Sequence, residues 1–101
     1  MRERVLDIRA SQRPNKKYAA LVQQGGDAMR TVHFGDRRYA QYRDSTPQRL
    51  YAARDHGDAR RRQRFMLRHG GTSSKTEALR NEARRSGGRV TPRYLSMKYL
   101  W

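Results

Sequence analysis

Two runs of β-favouring residues lie in the N-terminal half of the chain, and a short glycine-containing segment separates them. The runs are Tyr18–Val22 and Met29–Phe34, and the segment between them is Gln24–Asp27. Glycine readily adopts the positive-φ backbone that tight hairpin turns require. The spacing therefore predicts a β-hairpin over residues 17–34.

After the hairpin, helix start and stop signals replace the alternation of polar and apolar residues. A residue that can cap a helix N-terminus is repeatedly followed by a helix-compatible stretch and often by glycine. These capping residues are Thr46, Asp58, Ser74 and Thr91. They predict four short helices, at residues 47–55, 58–69, 75–86 and 92–100.

Residues 1–15 are mostly polar and are interrupted by Pro14. Their few apolar positions are Val5, Leu6 and Ile8. We interpret this segment as an extended basic N-terminal arm, and residues 16–101 as a single small basic domain. The predicted fold class is α+β, with a small β-hairpin packed with several short helices.

The second predicted helix, residues 58–69, carries its arginines on one side. On a helical wheel at about 100° per residue, one face holds Arg60, Arg61, Arg64 and Arg68. Like charges one turn apart destabilise a helix by about 0.2–0.5 kcal/mol per pair, which favours an anionic partner. Three interpretations stay open: a solvated face, a surface for nucleic-acid phosphates, or a surface for a neighbouring protein's carboxylates.

The overall charge extends this picture to the whole chain. Its 101 residues include 24 Lys and Arg against 9 Asp and Glu, a net charge of +15. Most of these cations are arginine, which forms bidentate contacts to phosphate and carboxylate, although a GC-rich genome would produce the same bias. Hydrophobic residues make up only 35% of the chain, so we expect a small core and a partner that neutralises the charge.

The same composition argues against several classes of function. There are no cysteines and only 3 histidines, so we expect no disulfide and no metal site. No nucleophile with its base, paired-carboxylate site or phosphate-binding loop is recognisable, and we predict no catalytic residue, no cofactor and no small-molecule substrate. No apolar run reaches the ~18–20 residues of a transmembrane helix, and we expect no secretory signal.

The last predicted helix belongs to the most apolar part of the chain, residues 94–101. An apolar segment of this kind requires burial, and two interpretations follow. It closes the domain's own core against Phe34 and Phe65, or it supplies aromatic anchors to a neighbouring protein. The candidate anchors are Tyr94, Tyr99 and Trp101.

Three segments in this order resemble a family of small basic proteins of large nucleocytoplasmic DNA viruses, of the iridovirus, marseillevirus and chlorella-virus type. They are HFGDRRYAQY (33–42), HGDARRRQRFMLRH (56–69) and YLSMKYLW (94–101). The shared pattern is Phe-Gly, a tyrosine turn, a helix with Asp-x-x-Arg-Arg that ends in Arg-His, and a final Leu-Trp. The resemblance covers residues 16–101, and residues 45–57 are inserted relative to many members. It implies a viral, virion-associated protein, made in the host cytoplasm or virus factory.

Two functions therefore compete. The first is a non-enzymatic minor capsid protein of the cement type, which bridges larger capsid subunits through arginine and aromatic contacts. The alternative is a basic nucleic-acid-binding protein that coats or packages the viral genome, with the arginines of residues 58–69 on DNA or RNA phosphates. A third possibility, a small nuclease with Asp36, Asp44 and Asp58 around a cation, has nothing in the sequence that brings these residues together.

Overall fold

Three antiparallel strands and three helices form the framework of the chain in the computed structural model, which describes all residues 1–101. The strands are β1 (Arg4–Ala10), β2 (Lys16–Gly25) and β3 (Ala28–Asp36). The helices are α1 (Ala59–Gly70), α2 (Lys75–Arg85) and α3 (Pro92–Tyr99). The predicted α+β fold class is confirmed. No helix has both the length and the apolar character needed to cross a membrane.

The predicted hairpin is confirmed and consists of β2 and β3. Tyr18 pairs with Phe34 and Ala20 with Val32, and the side chains of all four are buried on the same face of the sheet. Gly26, in the connecting turn, has a φ of 54°, the positive-φ backbone for which glycine was expected there.

The N-terminal segment, predicted to be an extended arm over residues 1–15, is instead the third strand of the sheet. β1 pairs with β2 in antiparallel register, with Val5 opposite Val22 and Ile8 opposite Ala20. A register shift lies between Val5 and Asp7, and such a bulge interrupts the alternation by which strands are recognised. The arm prediction was therefore wrong, because tertiary pairing outweighed the polar composition.

A buried carboxylate fastens this edge strand to the rest of the fold. Glu3 is 6% exposed and accepts two hydrogen bonds from the Arg30 guanidinium, at 2.6 and 3.1 Å. Its Oε1 also accepts the backbone N–H of Val90 at 2.7 Å. One side chain thus joins the start of the chain, β3 and the segment that precedes α3.

Three of the four predicted helices are confirmed, and each has the expected N-cap. Asp58 accepts from the backbone N–H groups of Arg60 and Arg61, and Ser74 and Thr91 each accept from the N–H three residues later. The helix predicted over residues 47–55 is wrong, since only a 3₁₀ turn forms, at Ala52–Arg54.

The predicted cap Thr46 explains why this helix does not form. Its hydroxyl does accept the N–H of Arg49, at 3.2 Å, as a helix cap would. However, Arg49 has a φ of 51°, in the left-handed region that a right-handed helix excludes. The Thr46 hydroxyl also donates to the buried Asp44 at 2.6 Å, so a tertiary contact holds the turn in a non-helical form.

The core lies between the inner face of the sheet and α3. It contains Tyr18, Val22 and Phe34 from the sheet, with Leu95 and Leu100 from the C-terminal segment. A second, smaller cluster joins the three helices through Met66, Ala78 and Met97. The C-terminal segment therefore closes the domain's own core, the first of the two interpretations of its apolar character.

Candidate anion-binding groove

The predicted arginine face of α1 exists and is open. Arg60, Arg61, Arg64 and Arg68 are all exposed. The ion pairs of the structure lie elsewhere, at Arg9–Asp7, Arg30–Glu3, Arg38–Asp36 and Arg85–Glu82. The fifth arginine of the helix, Arg62, points to the other side, where its guanidinium lies 4.8 Å from the centre of the Tyr42 ring. The four predicted residues thus form an unpaired cationic surface.

Three of these arginines line a groove of about 730 Å³ between α1, α3 and one end of the sheet. Arg61, Arg64 and Arg68 come from α1, while Arg60 is not part of the lining. Arg93, at the start of α3, and Lys16, at the start of β2, add two further cations. With Lys17, which is buried, six cationic side chains from three elements thus line one concave surface, which we call the basic groove.

The lining also includes a stacked aromatic pair, Phe65 and Trp101. Their ring centres lie 4.2 Å apart and their planes differ by 6°. The ring centre of Tyr99 lies 6.2 Å from that of Phe34, and the two ring planes are tilted by 37°. Trp101 and Tyr99 are therefore already engaged within the chain, and Tyr94 is half-buried. A contact of these three residues with a partner protein stays a prediction.

Tyr39, from the loop that follows β3, also lines the groove, and hydrogen bonds hold its backbone. The carbonyl of Tyr39 accepts a hydrogen bond from the Nζ of Lys17 at 2.9 Å. The backbone N–H of Tyr39 donates to the carbonyl of Asp36 at 3.2 Å. Lys17 is 2% exposed and also donates to the side chain of Gln41. Burial, and secondarily the charge of Arg54, lowers the pKa of Lys17 to about 8.

A buried polar network organises the loop that follows Tyr39. Asp44 is fully buried, and its oxygens accept hydrogen bonds from the Tyr18 hydroxyl, the Thr46 hydroxyl and the backbone N–H groups of Thr46 and Tyr51. Burial alone would raise the pKa of Asp44, but these hydrogen bonds together lower it. Burial and the bond to Asp44 raise the pKa of Tyr18 to about 12. The loop is thus fixed by satisfied buried groups.

The net charge of the groove is strongly positive. Asp36 lies in the lining, but two hydrogen bonds from the Arg38 side chain occupy its carboxylate and lower its pKa to about 2. The pKa of His69 is lowered by burial and then by the nearby Arg93 and Arg68. His69 is therefore neutral near pH 7, and the positive charge comes from arginine and lysine.

No group of three or more His, Cys, Asp or Glu side chains that could hold a metal ion is present. The three acids considered for a nuclease have separate structural roles. Asp58 caps α1, Asp44 supports the buried network, and Asp36 pairs with Arg38. The three carboxylates therefore take part in separate contacts and do not form one site.

The sequence identified the α1 arginines but not the rest of the groove. Lys16 and Arg93 are separated by most of the chain, and neither has a local motif. Tyr39 belongs to a set of tyrosines with arginine nearby, a feature too common to single it out. Only the packing of α1 and α3 near the end of β2 brings these residues together.

Comparison with known proteins gives a partial match. A family model described as "Family of unknown function (DUF5754)" matches residues 6–54, just under half of the chain. The matched part begins within β1, includes β2, β3 and the loop to the 3₁₀ turn, and ends before α1. No curated protein and no solved structure matches the chain.

Proposed function

We propose that this protein is a non-enzymatic nucleic-acid-binding protein that holds the phosphate backbone in the basic groove. One observation carries the proposal: cations from α1, α3 and β2 converge on one concave surface without acidic partners, while the groove's carboxylate is paired with Arg38. Arginine binds phosphate through paired N–H donors. With a net charge of +15, long-range attraction brings a polyanion to this surface.

The geometry favours phosphate over the carboxylates of a capsid neighbour. An extended N-terminal arm and aromatic anchors available to a partner would both favour a bridging protein. The arm is strand β1, and Tyr99 and Trp101 pack inside the chain. By contrast, the exposed arginines of α1 form no ion pair with an acidic side chain of the protein.

The test compares two variants with the same loss of charge. The groove variant replaces the four arginines of the lining, Arg61, Arg64, Arg68 and Arg93, by Gln. The control variant replaces four exposed arginines outside the groove lining by Gln, namely Arg4, Arg13, Arg80 and Arg89. Fluorescence anisotropy with a labelled oligonucleotide of about 12 nucleotides measures affinity over a range of salt concentrations, within the site sizes typical of such grooves.

We expect the groove variant to lose roughly 10- to 100-fold in affinity. The magnitude of its log–log salt slope should fall by about 3, since each of the four lost phosphate contacts contributes about 0.7. The control variant should keep most of the affinity. Equal losses in the two variants would mean that net charge, not the groove, binds the polyanion. Unchanged affinity in the groove variant would refute the proposal.

A minor capsid role is the second candidate, and the outer face of the sheet favours it. Leu21 and Met29 on this face are 37% and 46% exposed, and Leu6 at the β1 bulge is 43% exposed. Such residues are suited to contact with another protein. The viral origin rests on the sequence resemblance. Stepwise disruption of purified virions, followed by mass spectrometry, separates the two roles: release with the shell supports the capsid role, and salt-dependent release with the genome supports nucleic-acid binding.

A further inference from the structure

Tyr39 is the one aromatic side chain of the protein that is largely exposed. Its exposed fraction is 63%, whereas every other Phe, Tyr and Trp is buried or half-buried. Its position is nevertheless fixed, because its carbonyl accepts the buried Lys17 amine and its N–H closes a turn on Asp36. Two hydrogen bonds therefore hold the backbone of Tyr39 in the groove lining. The Arg38 guanidinium lies 5.6 Å from the centre of the ring, and most of the ring remains exposed.

The support beneath Tyr39 is itself closely packed. Lys17 lies against Gly35, where an added Cβ would come within 3.1 Å of the Lys17 side chain and 3.0 Å of Leu100. The Lys17 amine also bonds Gln41, which in turn donates to Asp55 at 2.6 Å. Isolated exposed aromatic residues are common on proteins. An exposed ring whose backbone carbonyl is held by a buried amine, and which lies in a cationic groove, is a more specific arrangement.

We propose that the ligand of the basic groove is single-stranded nucleic acid, and that one of its bases stacks on Tyr39 while the phosphates contact Arg61, Arg64 and Arg68. This inference rests on the function proposed above. Bases of a single strand are free to stack on aromatic side chains, whereas a duplex keeps its bases inside and exposes one only at a cost of a few kcal/mol. The groove volume of about 730 Å³ is in the range of ligand-binding pockets, so the groove can hold only part of a nucleic-acid strand.

The experiment separates stacking from phosphate binding by its choice of probes. Three probes of equal length are compared: an oligothymidylate, an abasic strand with the same phosphates, and a duplex. The variants are Tyr39→Ala, Tyr39→Phe and the control Leu50→Ala, which changes a side chain that is 56% exposed and lies outside the groove lining. Tyr39→Ala keeps the backbone carbonyl that Lys17 binds, so the fold should be unaffected.

The expected result is that oligothymidylate binds at least about fivefold more tightly than the abasic strand, the lower limit for stacking of one base. Tyr39→Ala should abolish this difference without changing the salt slope, Tyr39→Phe should preserve it, and Leu50→Ala should have no effect. The duplex should bind more weakly than oligothymidylate. Fluorescence of Trp101, the one tryptophan, reports occupancy of the groove directly.

The remaining outcomes show whether stacking on Tyr39 or phosphate binding in the groove is wrong. If the abasic strand binds as tightly as oligothymidylate, if Tyr39→Ala leaves the difference intact, or if the duplex binds best, stacking on Tyr39 is wrong while phosphate binding stands. If no probe binds in a salt-dependent manner, the proposed nucleic-acid-binding function is wrong as well.

Discussion

The sheet half of the chain, residues 1–57, and the helical half, residues 58–101, use their charged residues in opposite ways. Each carries 12 Lys and Arg, but the sheet half has 6 acids and the helical half 3. In the sheet half, Glu3, Lys17 and Asp44 are buried and hydrogen-bonded within the chain. In α1 the exposed arginines have no ion pair. Buried charge therefore stabilises the fold mainly in the sheet half, whereas α1 leaves its charge available to a ligand. Two residues depart from this division: Glu82 is buried in the helical half beside Arg85, and Lys16 of the sheet half lines the groove.

The largest effect should come from the buried carboxylate of the sheet half. Asp44→Asn replaces one acceptor oxygen by an NH₂ group that faces donors, so we expect a loss of about 3 kcal/mol in the free energy of unfolding. Urea unfolding followed by circular dichroism measures it. Asp27→Asn is the matched control, because Asp27 lies exposed in the hairpin turn. Equal stability of the two variants would show that the buried network does not hold the fold.

Lowering the pH should destabilise the sheet half, because it protonates Glu3. The hydrogen bond from Arg30 lowers the pKa of Glu3, burial opposes it, and the Val90 N–H lowers it further, to about 2 from an ordinary 4.5. The ionised form is thus favoured in the folded state, so its stabilisation is complete above pH 4.5 and is lost as pH falls through 2.

The variant Glu3→Gln isolates this effect from other carboxylates. We expect it to be less stable than the wild type by about 2 kcal/mol at neutral pH, and the gap to narrow as pH falls to 2. Urea unfolding over this pH range measures the gap. A gap that is independent of pH would assign the loss to packing alone.

Removing charge from the helical half should stabilise the protein, whereas removing charge from the sheet half should destabilise it. Arg60, Arg61, Arg64 and Arg68 repel one another along α1, and the first two lie near its positive N-terminus. Replacing all four by Gln should raise the free energy of unfolding by about 1 kcal/mol at low salt. Thermal unfolding at low and high salt tests this, with Arg9→Gln, in the ion pair with Asp7, as a control that should show no gain. A loss of stability would mean that these arginines make stabilising contacts within the fold.

The smallest effect concerns His69 in the groove lining. Its pKa is lowered by burial and then by Arg93 and Arg68, against a smaller opposing effect of Glu82. Bound phosphates would offset the arginine charges, so we expect the pKa of His69 to rise on binding. The affinity for the oligonucleotide should therefore increase about two- to threefold as the pH falls below 6.5, the ordinary pKa of histidine. NMR titration of His69 with and without oligonucleotide measures the shift. An unchanged pKa would place the phosphates away from this end of the groove.

The sequence predicted local features of both halves but not their tertiary combinations. The hairpin, three helices with their caps and the arginine face follow from short-range signals at Gly26, Asp58, Ser74 and Thr91. Strand β1 was missed because a bulge and charged neighbours obscure its alternation. The false helix at residues 47–55 followed a real Thr-Pro signal that the contact of Thr46 with Asp44 overrides. The groove depends on residues far apart in the chain, which no local pattern relates.

We expect the ligand to contact the helical half and the groove lining, and not the outer face of the sheet. Two-dimensional ¹H–¹⁵N NMR of the full chain, titrated with oligothymidylate, measures where the ligand binds. We expect chemical-shift changes to be concentrated at Lys16, Tyr39, Arg64, Arg68 and the Trp101 indole, with little change at Leu21 and Met29. Shifts concentrated on the outer face at Leu21 and Met29, or none at all, would contradict this expectation.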